Sequence, residues 1–117
     1  RDFPLKWAVD EALDSIDGIR LIIEGGATGA DRLARIWAER NGIRVVTHDA
    51  NWKLGLQAGR MRNEIMLRKE KPHLVIAFPG GAGTGHMTTI ALNAGIEVRK
   101  VRVKWEIETF KRSIEDE

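Results

Sequence analysis

The 117-residue chain carries 43% hydrophobic and 31% charged residues, a formal net charge of +2 and no cysteine. A chain of this length holds one hydrophobic core, and its composition is that of a globular domain rather than a disordered or fibrous one. Without cysteine there is no disulfide framework and no thiolate metal site, no apolar run reaches the roughly 20 residues of a membrane span, and no secretory signal pattern is present. The expectation is one cytoplasmic domain over residues 1–117 with no membrane partner.

In chain order, FPLKWAVDEALDSI places Leu5, Ala8, Val9, Ala12, Leu13 and Ile16 at helical spacing, with Pro4 in the first turn and Asp2 as a cap. RLIIE, residues 20–24, is short, β-branched and bounded by Gly18 and Gly25, which predicts a buried strand. Ala30, Leu33, Ala34, Trp37 and Ala38 predict a second helix that ends near Asn41 and Gly42. IRVVTH is a further strand. Residues 49–59 have no clear period and read as a loop anchored by Trp52 and Leu54. A helix over 58–69, the strand HLVIAF, a helix over 85–94 with Met87, Ile90, Ala91 and Ala94 inward, and the strand IEVRKVRV follow. A short helix over 107–114 lies in the C-terminal tail, 104–117.

Strands separated by single helices imply parallel pairing through right-handed crossovers, so the predicted fold is α/β, a Rossmann-like doubly wound sheet with helices on both faces. Such a sheet normally starts with a strand, whereas this chain starts with a helix. The expectation is that a strand precedes Arg1, central in the order 3-2-1-4-5.

Two strand-to-helix turns share one layout. IEGGATGADRLA, residues 23–34, supplies Gly25, Gly26, Thr28 and Gly29; AFPGGAGTGHM, residues 77–87, supplies Gly80, Gly81, Gly83, Thr84 and Gly85. Glycines let a backbone approach an anion closely, a threonine hydroxyl adds a donor, and helix N-termini beyond strand ends offer free N–H groups. The implied chemistry is phosphate or ribose-phosphate binding; the alternative is a pair of tight turns that need glycine for geometry alone. Asp31 either binds a ribose hydroxyl or caps the second helix. Glu24 is the carboxylate available for acid–base work, His86 the imidazole, and Trp52 either packs or stacks on a base.

Common motifs do not fit. The second turn is followed by His86 and Met87 where a Walker loop needs Lys and Ser or Thr, and His86 stands at the third glycine of a dinucleotide fingerprint begun by Gly81 and Gly83. Basic residues gather at Arg60, Arg62, Arg68, Lys69 and Lys71 and again at Arg99, Lys100, Arg102 and Lys104, as solvated surfaces or as anion-facing edges.

Three blocks in order, GGATGADRLARIWAERNGI, AGRMRNEIML and HLVIAFPGGAGTGHM, resemble the SLOG superfamily and within it the YspA-like branch, a bacterial and phage family. The resemblance covers most of residues 1–103 and implies a Rossmann-like fold related to nucleotide-derived ligand sensors, to LOG phosphoribohydrolases and to Smf/DprA DNA-processing proteins. Arg1, Asp2 and Phe3 look like the end of the branch's first Gly-Gly-Arg-Asp-Phe turn. Arg62 and Asn63 sit in the block similar to the SLOG Arg-Asn helix segment, where a guanidinium can clamp a phosphate. Pro79, Gly80, Gly81, Gly83 and Thr84 match the LOG phosphate motif, but Met87 stands at the catalytic glutamate position. A thioether cannot carry a proton as a carboxylate does, so the departure speaks against LOG-type hydrolysis and leaves phosphate binding intact.

The leading expectation is a nucleotide-binding or nucleotide-sensing domain without metal or redox cofactor, its ligand gripped by the two loops with Asp31, Arg62 and Asn63. The alternatives are a nucleoside-monophosphate phosphoribohydrolase using another carboxylate, and a DNA-binding domain of the Smf/DprA kind. The resemblance also suggests a homodimer.

Overall fold

The computed structural model describes residues 3–79 and 82–102. Its elements are α1 (Phe3–Asp14), β1 (Leu21–Glu24), α2 (Ala30–Arg40), β2 (Arg44–Thr47), a 3-10 helix (Trp52–Gln57), α3 (Ala58–Glu70), β3 (Leu74–Ala77), α4 (Ala82–Asn93) and β4 (Glu97–Lys100). The expected cap Asp2, Gly80 and Gly81 of the second turn, and the tail helix over 107–114 lie outside the described residues.

The order of helices and short parallel strands is the α/β, Rossmann-like arrangement that the periodicity predicts. β1 lies parallel to β2 with Leu21 opposite Arg44 and Glu24 opposite Thr47, and β3 lies parallel to β4 with Leu74 opposite Glu97 and Ala77 opposite Lys100. Both ladders run one step further, through His48 N–H to the Glu24 carbonyl and Val101 N–H to the Ala77 carbonyl, each at 2.9 Å. Among the described strands the sheet is two pairs, β1–β2 and β3–β4, and β1 does not bond to β3. A single helix makes each crossover, α2 in the first pair and α4 in the second; α1 packs on α2, and α3 packs on α4.

Apolar periodicity decides which faces meet. Val9 and Leu13, four apart on α1, bury against Trp37 and Ala38 of α2 and Ile22 of β1, with Ile76 and Phe78 packed against the same cluster. The Trp37 indole N–H donates to Asp14 Oδ1 at 2.9 Å, so the largest core side chain satisfies its polar atom while its ring is buried.

Three expectations are corrected. Residues 49–59 are not wholly loop: Trp52–Gln57 forms 3-10 turns broken at Gly55, whose φ of 73° departs from any helix. Trp52 and Leu54 do not anchor that segment, for Trp52 is 68% exposed and Leu54 is exposed as well; short 3-10 turns point these side chains outward beside α3. β4 covers only 97–100 of the strand predicted over 96–103, of which Val103 lies outside the described residues.

Candidate functional site

A cleft of about 910 Å³ runs the length of β1 and β3, and where the two strands end it is lined by Glu24, Gly25, Thr28, Asp31, Arg62, Asn63, Gly83 and Thr84. The predicted residues thus converge, although they come from three separate stretches of chain. Gly29 also lines the cleft, whereas Gly26 and Gly85 do not.

The first loop is closed by its own carboxylates. Asp31 Oδ2 accepts from the backbone N–H of Gly25 and of Ala27, both at 3.2 Å, and Glu24 Oε1 accepts from Gly26 N–H at 2.7 Å. Three successive N–H groups are therefore already occupied. Asp31 is not the cap of α2, whose N-cap is Gly29 with no side-chain hydrogen bond; it braces the preceding loop from within the first turn. Gly26 and Gly29 have positive φ, 73° and 82°, which a residue bearing Cβ adopts at a cost. Glu24 is 3% exposed, and its second oxygen accepts from the Thr47 hydroxyl with Arg35 Nη1 at 3.8 Å. Both oxygens of this carboxylate hold the fold together.

α3 ties the two loops. Arg62 Nη1 donates to the Gly25 carbonyl and Nε donates to Asn63 Oδ1 at 3.0 Å. Asn63 is 4% exposed, and its amide nitrogen reaches the Gly83 carbonyl at 3.1 Å and His86 Nδ1 at 3.3 Å. Both amide N–H groups and the amide oxygen thus have partners. With the amide donating, His86 Nδ1 is the acceptor and its proton sits on Nε2, which faces Glu64 Oε1 at 3.9 Å. Arg62 is the inward member of its basic cluster; Arg60, Arg68, Lys69 and Lys71 are exposed.

The second turn differs from the first. α4 begins at Ala82 rather than at Gly85, so Gly83, Thr84 and Gly85 belong to the first turns of the helix and not to a loop. Neither glycine has positive φ, and a Cβ placed on either would meet nothing within 4 Å. Nothing in the described packing requires glycine at these two positions.

Sequence reasoning did not find the bracing roles of Glu24 and Asp31 or the partnership of Thr47 with Glu24. A carboxylate closing an apolar strand just before Gly-Gly was the available signal. His48 and Glu70, paired at 2.7 Å between the end of β2 and the end of α3, carried no signal in the sequence.

Residues 5–55, from α1 through the first loop and into the 3-10 helix, match the YspA, cpYpsA-related SLOG family (YAcAr). The chain is also 38% identical to the Gene 61 protein of Mycobacterium phage D29 over 86 residues, 67% of this chain and 68% of that protein. The chain belongs to the YspA, cpYpsA-related SLOG family. No solved structure matches it significantly. The first loop of this SLOG chain, with Asp31 and its brace, falls inside the matched span, and α3 and α4 fall beyond it. No helix among the described residues is long and apolar enough to cross a membrane.

Proposed function

We propose that this SLOG domain binds a nucleotide-derived ligand in the cleft, with the ligand's phosphate at the N-terminus of α4. One observation carries the reading: Gly83 stands in the first turn of α4 and lines the cleft, where the described packing does not require glycine and where it costs helix stability, up to about 1 kcal/mol relative to alanine. A position without Cβ that faces the cleft leaves room for an anion to approach the helix N-terminus. The turn leaves backbone N–H groups at the positive end of a twelve-residue helix, which suits a phosphate. Thr84 would extend the same cradle, and Gly80 and Gly81, outside the described residues, are proposed from the sequence motif alone.

The first loop takes a different part. With Gly25, Gly26 and Ala27 N–H engaged by Asp31 and Glu24, a second anion there would face two carboxylates, so the loop suits the hydroxyl-bearing sugar rather than the phosphate. Thr28 and the remaining oxygen of Asp31 are its polar groups. Arg62 and Asn63 hold the two loops at a fixed separation. Binding without hydrolysis is favoured because Met87 replaces the LOG glutamate and both oxygens of Glu24 are engaged.

The test is to incubate the protein with a panel of nucleoside 5′-monophosphates, measuring binding by calorimetry and free base by chromatography. Saturable binding without base release is expected. Base release would replace the binding reading with the hydrolase, and no binding across the panel would remove both.

A further inference from the structure

We infer that the groove between α3 and α4 is the docking site of the chain's own C-terminal segment, residues 107–114, laid in as an amphipathic helix. The groove, about 520 Å³, has an apolar floor of Leu67, Pro72, Ile90, Ala94 and Ile96 and a charged rim of Glu64, Arg68 and Lys71. Leu67, Ile90 and Ile96 are only half-buried among the described residues. The C-terminal segment carries a matching stripe, for Ile107, Phe110 and Ile114 stand at i, i+3 and i+7, one face of a helix. Laying the stripe on the floor takes both apolar surfaces out of water.

The charges beside the two stripes correspond. On α3, Arg60, Glu64 and Arg68 recur every fourth residue as an exposed row of alternating sign. In the C-terminal segment, Glu108, Lys111 and Glu115 form a row flanking the apolar stripe, with the signs reversed. Laid side by side, Glu108 meets Arg60, Lys111 meets Glu64 and Glu115 meets Arg68. Glu64 can take this partner because its side chain is 60% exposed beside His86. A partner of uniform charge would meet repulsion at one member of the α3 row, whereas this segment meets none.

Connection and reach agree. β4 is parallel to β3, so it ends on the side where α4 begins. α3 and α4 lead away from that side together, because Asn63 bonds to Gly83 in the first turn of α4 while Leu67 and Lys71 share the groove with Ile90 and Ala94 further along. A chain that turns back after β4 therefore runs parallel to both helices, toward the groove. Residues 103–106 span up to about 13 Å when extended and 107–114 about 12 Å as a helix, together more than the roughly 18 Å length of α4.

The test is NMR on the full 117-residue chain, with a synthetic peptide of residues 103–117 as the undocked reference. Nuclear Overhauser contacts between the Phe110 ring and the methyl groups of Leu67, Ile90 or Ile96 are expected, and amide exchange over 107–114 should be about tenfold or more slower than in the peptide. Arg68→Glu should bring that exchange severalfold closer to the peptide's rate, and adding Glu115→Arg to the same chain should recover most of the protection. Arg68 is exposed, so its replacement is read on a folded chain. Absence of the Phe110 contacts, exchange equal to the peptide's, or exchange unmoved by Arg68→Glu or unrecovered in the double variant overturns the inference. So do contacts seen only between differently labelled chains, which would place the segment on a second copy.

Discussion

Replacing Gly83 with alanine separates what the fold needs from what the ligand needs. The position is helical, lines the cleft and has open space around a Cβ, so the substitution meets no clash inside the described protein. Removing glycine from a helix gains roughly 0.5–1 kcal/mol, which for a domain of this size raises Tm by about 2–6 °C. The same methyl group stands where an anion would approach α4. Losing a hydrogen bond to a charged group costs about 1.5–3 kcal/mol, or roughly 10- to 150-fold in Kd. Gly85→Ala serves as the control, because Gly85 sits in the same helical turns but does not line the cleft; it should gain similar stability and bind within about twofold of wild type. Calorimetric titration with a nucleoside monophosphate, paired with thermal unfolding, reads both quantities. Wild-type affinity in Gly83→Ala would refute the reasoning and return the glycines to an unexplained helical cost.

Asn63→Ala removes a buried amide that joins Arg62, Gly83 and His86, and should destabilise by about 1–3 kcal/mol in urea unfolding because the half-buried Arg62 and His86 lose their partner. Asp31→Asn keeps the shape of the loop brace but weakens two acceptor contacts, so faster exchange at Gly25 and Ala27 amides is expected, with a stability loss of roughly 1 kcal/mol. Burial pushes the Asp10 carboxyl up, but hydrogen bonds and charge from Lys6 and Arg40 outweigh it and hold the group below its ordinary 3.8. A depressed folded value means the pairing stabilises above 3.8 and is lost as pH falls through the folded value, so the roughly 0.5–1 kcal/mol separating wild type from Asp10→Asn at pH 7 should shrink toward zero in acid titrations.

Much of the fold was legible because burial imposes a period. Ala30 to Ala38 at helical spacing and the short β-branched runs located α2, β1, β2 and β3 closely. The 3-10 turns at Trp52–Gln57 escaped because their apolar residues face outward, so no buried face leaves a pattern. The start of α4 was misplaced because Gly83 and Gly85 look like loop residues, yet both lie inside a helix that begins at Ala82. At the site, Gly25, Thr28, Asp31, Arg62, Asn63, Gly83 and Thr84 line one cleft, but the sequence could not assign their partners. Asp31 had equal reason to cap α2 or meet a sugar, and it does a third thing, bracing Gly25 and Ala27, because loop curvature rather than residue type aims its carboxylate.

The measurement that bears most directly on the phosphate site is an amide NMR titration of the unmodified chain with a nucleoside 5′-monophosphate and, in parallel, with the unphosphorylated nucleoside. If the N-terminus of α4 holds the phosphate, the amides of Gly83, Thr84 and Gly85 shift saturably with the monophosphate and far less with the nucleoside, while Gly25 and Ala27, held by Asp31, move little. Unmoved α4 amides at saturation, or equal shifts with both ligands, would contradict the account.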